Sequence, residues 1–257
     1  MEKKWIIDQK TVRLFLPERL QETRHIIYLN GGHEDAGAIW EEFCLRRNAA
    51  SGIPLAALAV IDVTGAWNDA LTPYPAAKLF RDGEAFSGKA DEYLQVLLGD
   101  IVPAVETELS GLTGESPLCR SIAGYSLAGL FAVFSFFRTN FFDRCVSVSG
   151  SLWYDGFAAW VKKERIMRVP EKVYLSLGER EKNTRNPRMA RVETCTAEIA
   201  EWFERAGAET LFERNPGGHF DQAVERLVRG LVWISESSKQ TGETKERKTE
   251  IDATQTD

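Results

Sequence analysis

Histidine is scarce in this chain of 257 residues, occurring three times, at 25, 33 and 219. Any step that needs an imidazole is confined to those positions. Cysteine is almost as thin. The four present, Cys44, Cys119, Cys145 and Cys195, stand singly, without the short paired spacings of a zinc site or a disulfide scaffold. They are expected to be reduced and buried, and no metal is expected. An excess of basic charge is missing too: 32 Lys and Arg against 38 Asp and Glu give a formal charge of −6, which argues against a nucleic-acid backbone as the main partner. No apolar run reaches the roughly 18 residues that suggest a membrane span. The first ten residues carry three lysines and only Ile6-Ile7 as an apolar stretch, so no signal-peptide core is seen and a cytoplasmic protein is expected.

The hydrophobic fraction, 44%, is ample for one large core that folds without disulfide or metal. Apolar runs rich in β-branched residues alternate with stretches of helical period, the pattern of an α/β fold with a mostly parallel central sheet and helices on both faces. Strands are predicted at Thr11–Leu16, His25–Leu29, Leu55–Asp62, Leu118–Gly124, Cys145–Ser149, Lys172–Leu177 and Thr210–Glu213. Most are apolar throughout, as strands covered on both faces should be. Helices are predicted at Ala36–Arg46, Ala90–Leu109, Leu127–Phe136, Arg188–Ala206 and Asp221–Ser235. Residues 238–257 hold one large aliphatic side chain, Ile251. Such a segment buries too little to offset its ordering, so a single domain over 1–237 and a disordered polar tail are expected.

One motif carries chemistry. Gly124-Tyr125-Ser126-Leu127-Ala128 falls where an apolar strand meets a helical segment, which is the nucleophile-elbow pattern in its Gly-x-Ser-x-Ala form. A serine on that strained turn needs small neighbours two before and two after, because the backbones crowd there. The turn also aims the Leu127 amide, at a helix N-terminus, toward an oxyanion formed by attack of Ser126.

The partners follow from chain order. His25 opens an apolar strand and reads as a buried structural imidazole. His33 precedes the serine in the chain and could line a pocket. His219 follows Asn215-Pro216-Gly217-Gly218, a loop able to present a general base to the serine. The acid that orients such a base belongs after the strand Val173–Leu177, where Glu179 and Glu181 compete. A second oxyanion donor belongs after the strand ending at Leu29, where Gly31 and Gly32 allow a backbone amide close approach; Gly32 is favoured.

These segments together resemble the esterase branch of the α/β-hydrolase superfamily, which holds enterochelin and salmochelin esterases, esterase-D-like enzymes and mycolyl transferases. The carriers are Ile26–Gly31, Ala123–Gly129, Ser149-Gly150-Ser151-Leu152-Trp153-Tyr154, Leu177–Glu181 and Gly217-Gly218-His219. The likeness favours Glu181, three past the glycine, although some relatives work with Ser and His alone. Relatives often have Asp-Gly where this chain has Asn30-Gly31. The loop 65–75 is similar to the family's pocket wall, so Trp67, Trp153 and Tyr154 are expected to offer aromatic contact to an acyl or aryl group. The resemblance implies an α/β-hydrolase fold and a cofactor-free serine esterase acting on a small-molecule ester, with siderophore esters among the substrates it suggests. An acyltransferase using the same residues, or an inactive binding protein, are the alternatives. Oligomeric state is not readable.

Overall fold

A computed structural model describes residues 1–32, 34–50 and 52–237. One eight-stranded sheet organises them: β1 (Glu2–Ile7), β2 (Lys10–Phe15), β3 (His25–Gly31), β4 (Ala56–Asp62), β5 (Cys119–Tyr125), β6 (Arg144–Val148), β7 (Lys172–Gly178) and β8 (Glu209–Asn215). The spatial order is β1-β2-β4-β3-β5-β6-β7-β8. β1 pairs antiparallel with β2 and β2 with β4, and every other pairing is parallel. The expected tail, 238–257, lies outside the described residues, as does His33.

Helices fill the crossovers: α1 (Ala36–Ala49), α2 (Trp67–Ala70), α3 (Ala90–Val96), α4 (Val102–Thr113), α5 (Leu127–Ser135), α6 (Phe157–Val161), α7 (Val192–Ala206) and α8 (Ala223–Ser235). Alternation along the strands makes the two cores. Ala57, Ala59 and Ile61 of β4 and Val173, Leu175 and Leu177 of β7 face the core shared with α3 through α7. Ala56, Leu58 and Val60 face the other way, with Tyr174, toward α1 and α8. Both faces are covered, which is why the strands read as unbroken apolar runs. All nine residues of α5 are buried, so this helix packs as a rod behind the centre of the sheet.

Three departures from the sequence reading have local causes. The expected helix over 90–109 is α3 and α4 joined by a π-helical turn, Leu97–Ile101; Pro103 has no N–H to give the carbonyl four residues back, which disturbs the ladder there. Strand β1 was not anticipated. Its residues are alternately exposed and half-buried at the sheet edge, and its hairpin turns through Asp8 and Gln9, both at positive φ, with no Gly to announce a type I′ turn. Of the cysteines, all free, Cys145 and Cys195 are buried, but Cys44 and Cys119 are only half-buried.

His25 sits where β3 begins, buried, with Nε2 2.7 Å from the Ser121 hydroxyl on β5. Burial, with a smaller push from the Arg144 charge, lowers its pKa from 6.5 to about 3. A depressed pKa favours the neutral ring in the fold, so its contribution is complete above the unfolded value of 6.5 and is lost as pH falls toward 3. We expect unfolding free energy to drop about 1.4 kcal/mol more per pH unit below pH 6 in the wild type than in His25→Asn. Urea denaturation at pH 7.5, 5.5 and 4.5 measures this, and equal slopes would contradict it.

Candidate active site

The carboxyl ends of β3, β5, β6, β7 and β8 open on one side of the sheet, the usual place for a ligand in such folds. Ser126 follows β5 directly, with φ 58° and ψ −121°. That conformation is strained for a non-glycine residue, and the neighbours hold it. The Ser126 amide donates to the Val148 carbonyl (3.0 Å), and the Ser126 carbonyl accepts from Leu130 and Ser151 (3.1 and 2.9 Å). Gly124 must be glycine, since a Cβ there would lie 2.3 Å from the Ala128 backbone.

His219 arrives from the loop after β8. Gly217 turns that loop at φ 100°, where a Cβ would also strike Asp221. The Asp221 carboxylate accepts from the Gly218 amide at 2.7 Å, and the Tyr125 hydroxyl donates to the His219 carbonyl. The ring is thereby brought to Ser126: His219 Nε2 lies 3.1 Å from Ser126 Oγ. On its far side His219 Nδ1 lies 2.7 Å from Glu181 Oε2. Glu179, the competing carboxylate, is exposed and takes no part.

Glu181 is enclosed, its side chain 4% exposed. Burial alone would raise its pKa, but hydrogen bonds from the His219 ring, the Gly178 amide (2.7 Å) and the Ser149 hydroxyl (2.7 Å) outweigh burial and hold it near 2. An ionised carboxylate can only accept, so His219 Nδ1 carries the proton and Nε2 is left as acceptor for the Ser126 hydroxyl.

Arg226 and Ser149 were not among the sequence candidates. Arg226 is wholly buried and reaches Glu181 Oε1 at 3.0 Å, the Gly218 carbonyl at 3.0 Å and the Ser149 hydroxyl. A signal existed. On α8 it occupies the same stripe as Gly230 and Ile234, a charged side chain where the helical period calls for an apolar one. Ser151, in the run Ser149–Tyr154, is a further residue the sequence did not single out; its hydroxyl is 3.4 Å from that of Ser126.

Two cavities meet at Ser126. One of about 380 Å³ is lined by Leu127, Trp67, Trp153, Phe80 and Phe220 among others. The second, about 620 Å³, runs past Gly31, Gly32 and Tyr125 and shares Trp67, His219 and Phe220 with the first. Of the residues expected to supply oxyanion amides, Leu127 lines the first cavity and Gly32 the second. Tyr154 lines neither. It is buried, its ring packs on Tyr74 and Phe86, and its hydroxyl donates to the Tyr74 carbonyl at 2.5 Å. Its neighbour Trp153 takes the pocket-facing position, and Tyr154 anchors the wall from behind. Among the described residues no group of His, Cys, Asp and Glu is arranged to hold a metal ion, and no helix is long and apolar enough to cross a membrane.

This geometry meets its relatives at both the sequence and the structural level. The family described as "Putative esterase" matches residues 6–226. The chain belongs to that family of carboxylic-ester hydrolases, on the α/β-hydrolase fold. An uncharacterized protein of Bacillus subtilis, YbbA, is 24% identical over 179 residues, 67% of this chain and 71% of its own. Among solved structures, the siderophore hydrolase EstA of Aspergillus nidulans superposes with a TM-score of 0.72 at 18% identity, covering 91% of this chain and 94% of EstA. An IroE-like serine hydrolase from Shewanella oneidensis gives a TM-score of 0.71 at 15% identity, covering 91% and 79%.

Proposed function

We propose that the protein cleaves a small-molecule carboxylic ester through an acyl-enzyme on Ser126. The observation that carries this reading is the unbroken chain from Ser126 Oγ through His219 to Glu181, at 3.1 and 2.7 Å, assembled from three separate strand ends. His219 Nε2 takes the hydroxyl proton as Ser126 attacks the ester carbonyl. The oxyanion forms between the Leu127 and Gly32 amides, and His219 returns the proton to the leaving alcohol. Water enters and gives a proton to the same nitrogen as its oxygen bonds to the acyl carbon; His219 then returns that proton to Ser126 Oγ as the acyl–serine bond breaks, releasing the acid. Glu181 holds the ring and stabilises the imidazolium without itself titrating.

On this reading residues 1–237 work as one domain, because the strand ends that supply the groups belong to one sheet. The four free cysteines favour a reducing, cytoplasmic compartment. The likeness to a siderophore hydrolase makes siderophore esters one class to assay. A fluorophosphonate probe tests the nucleophile directly: stoichiometric labelling of the folded protein at Ser126, mapped by peptide mass, is the expected result. Absence of labelling would favour a binding protein that keeps the fold.

A further inference from the structure

Among the described residues, the exposed large hydrophobic side chains include only two aromatics, Phe80 (61%) and Phe220 (85%). Both border the 380 Å³ cavity that holds Ser126. Exposed single apolar residues are ordinary on a surface, but these two line one cavity together with Trp67 and Trp153, four aromatic side chains on the space that holds Ser126. Phe220 stands edge-on to the His219 ring, with centroids 4.8 Å apart at 85°. Phe80 rides on a flap closed at its base by the Ala76 and Phe86 backbones (3.1 and 3.0 Å). Asn186 and Arg188 pin that flap through the carbonyls of Leu79 (3.2 Å) and Ala77 (2.7 Å).

The charge around the same space has one sign. Glu84 lines the first cavity and Glu34 and Asp35 line the second, while among the described residues no Lys or Arg lines either. Two guanidiniums lie behind the lining: Arg226, paired with Glu181 (3.0 Å), and Arg188, 5.8 Å from the Trp153 ring centre, which donates to Asp155 (2.7 Å) and the Ala77 carbonyl (2.7 Å) while its Nη2 is buried without a partner among the described residues. An anionic group drawn into this space would meet carboxylates and no lining Lys or Arg; Glu34, Asp35 and Glu84 are exposed, so the repulsion is tempered by solvent.

We infer that the site selects esters with an aromatic acyl part free of negative charge, which Phe80 and Phe220 clasp at the mouth of the cavity. Aromatic pairs gain beyond their buried area, so an aryl group profits more here than an alkyl chain of equal size. A strongly anionic ferric catecholate is the wrong charge for it. The inference rests on Ser126 being the nucleophile, and its test separates the two.

Four esters with a common 4-nitrophenol leaving group serve: the acetate, the butyrate, the 3-phenylpropanoate and the succinate half-ester. The expected kcat/KM for the phenylpropanoate exceeds that for the acetate by about tenfold or more, and the half-ester falls several-fold below the butyrate. Phe80→Ala and Phe220→Ala, at exposed positions that do not carry the fold, should cut the phenylpropanoate-to-acetate ratio several-fold, mainly through KM. Glu84→Gln should narrow the gap between half-ester and butyrate. Equal turnover of half-ester and butyrate, or an unmoved ratio in both phenylalanine variants, overturns the selectivity while leaving the nucleophile in place. Turnover of all four esters that survives Ser126→Ala overturns both.

Discussion

Ser126→Ala is expected to lower kcat/KM for 4-nitrophenyl butyrate by roughly 10⁴- to 10⁶-fold, with little change in melting temperature. The size follows from what remains. The two amides and the cavities survive the substitution, so binding and oxyanion stabilisation persist, but no covalent path is left and water must be positioned in place of the hydroxyl. The fold should tolerate the change, because Ser126 is held by its backbone bonds to Val148, Leu130 and Ser151 and alanine forms them all. Ser151 provides the control. Its hydroxyl lies 3.4 Å from that of Ser126, but His219 Nε2 is hydrogen-bonded to Ser126, so Ser151→Ala should keep most of the activity. The reverse pattern, activity kept without Ser126 and abolished without Ser151, would show that the wrong serine has been assigned.

The parts of this molecule that could be read from its sequence are those written in local patterns. Strands β3 through β7 are short, mostly apolar runs between helical stretches, and the elbow at Ser126 is a five-residue signature whose steric reason, Gly124 against Ala128, is visible in the structure. The strand β1 was illegible because this edge strand, with Lys3 and Lys4 on it, offers only the short run Trp5-Ile6-Ile7. Tyr154 was misplaced for a different reason. Trp153 and Tyr154 are adjacent, and composition cannot say which of two aromatic neighbours faces a cavity when the local backbone, a turn after β6, has no fixed period.

The long-range partners were hardest. Ser149 and Arg226 lie 77 residues apart in sequence, and Glu181 is 45 residues from Arg226. No local rule links them, yet together they enclose the carboxylate that faces His219. Ser149 itself adopts φ 46°, a second strained serine at a strand end, where its hydroxyl meets Glu181. Strain of this kind persists only where surrounding contacts fix it.

Arg226→Met is expected to lower the melting temperature by roughly 6 to 20 °C and kcat/KM by about 10²-fold. Nothing in helix α8 recommends a cation there: Arg226 lies in its first turn, where the helix dipole disfavours positive charge, and no part of it reaches solvent. Its place is explained by Glu181 on one side and by the carbonyls of Gly218 and Asp221 (3.0 and 3.4 Å) on the other. The guanidinium therefore ties the acid to the backbone that carries His219. Methionine fills much of the volume but leaves a buried carboxylate without its countercharge, and breaking one side of such a pair costs about 3 to 5 kcal/mol. For a chain of this size each kcal/mol is about 2 to 4 °C. The loss of rate comes from a histidine loop freed to wander by an ångström or so, a displacement worth about 10²-fold in comparable sites. Arg226→Lys should fall between, since one ammonium cannot span the acid and the carbonyl together. A double-mutant cycle separates position from charge: in a Glu181→Gln background the stranded carboxylate is gone, so Arg226→Met should destabilise by markedly less than in the wild type. Strict additivity of the two substitutions, or a single variant with unchanged melting temperature and rate, would show that Arg226 is mere filling beneath the site.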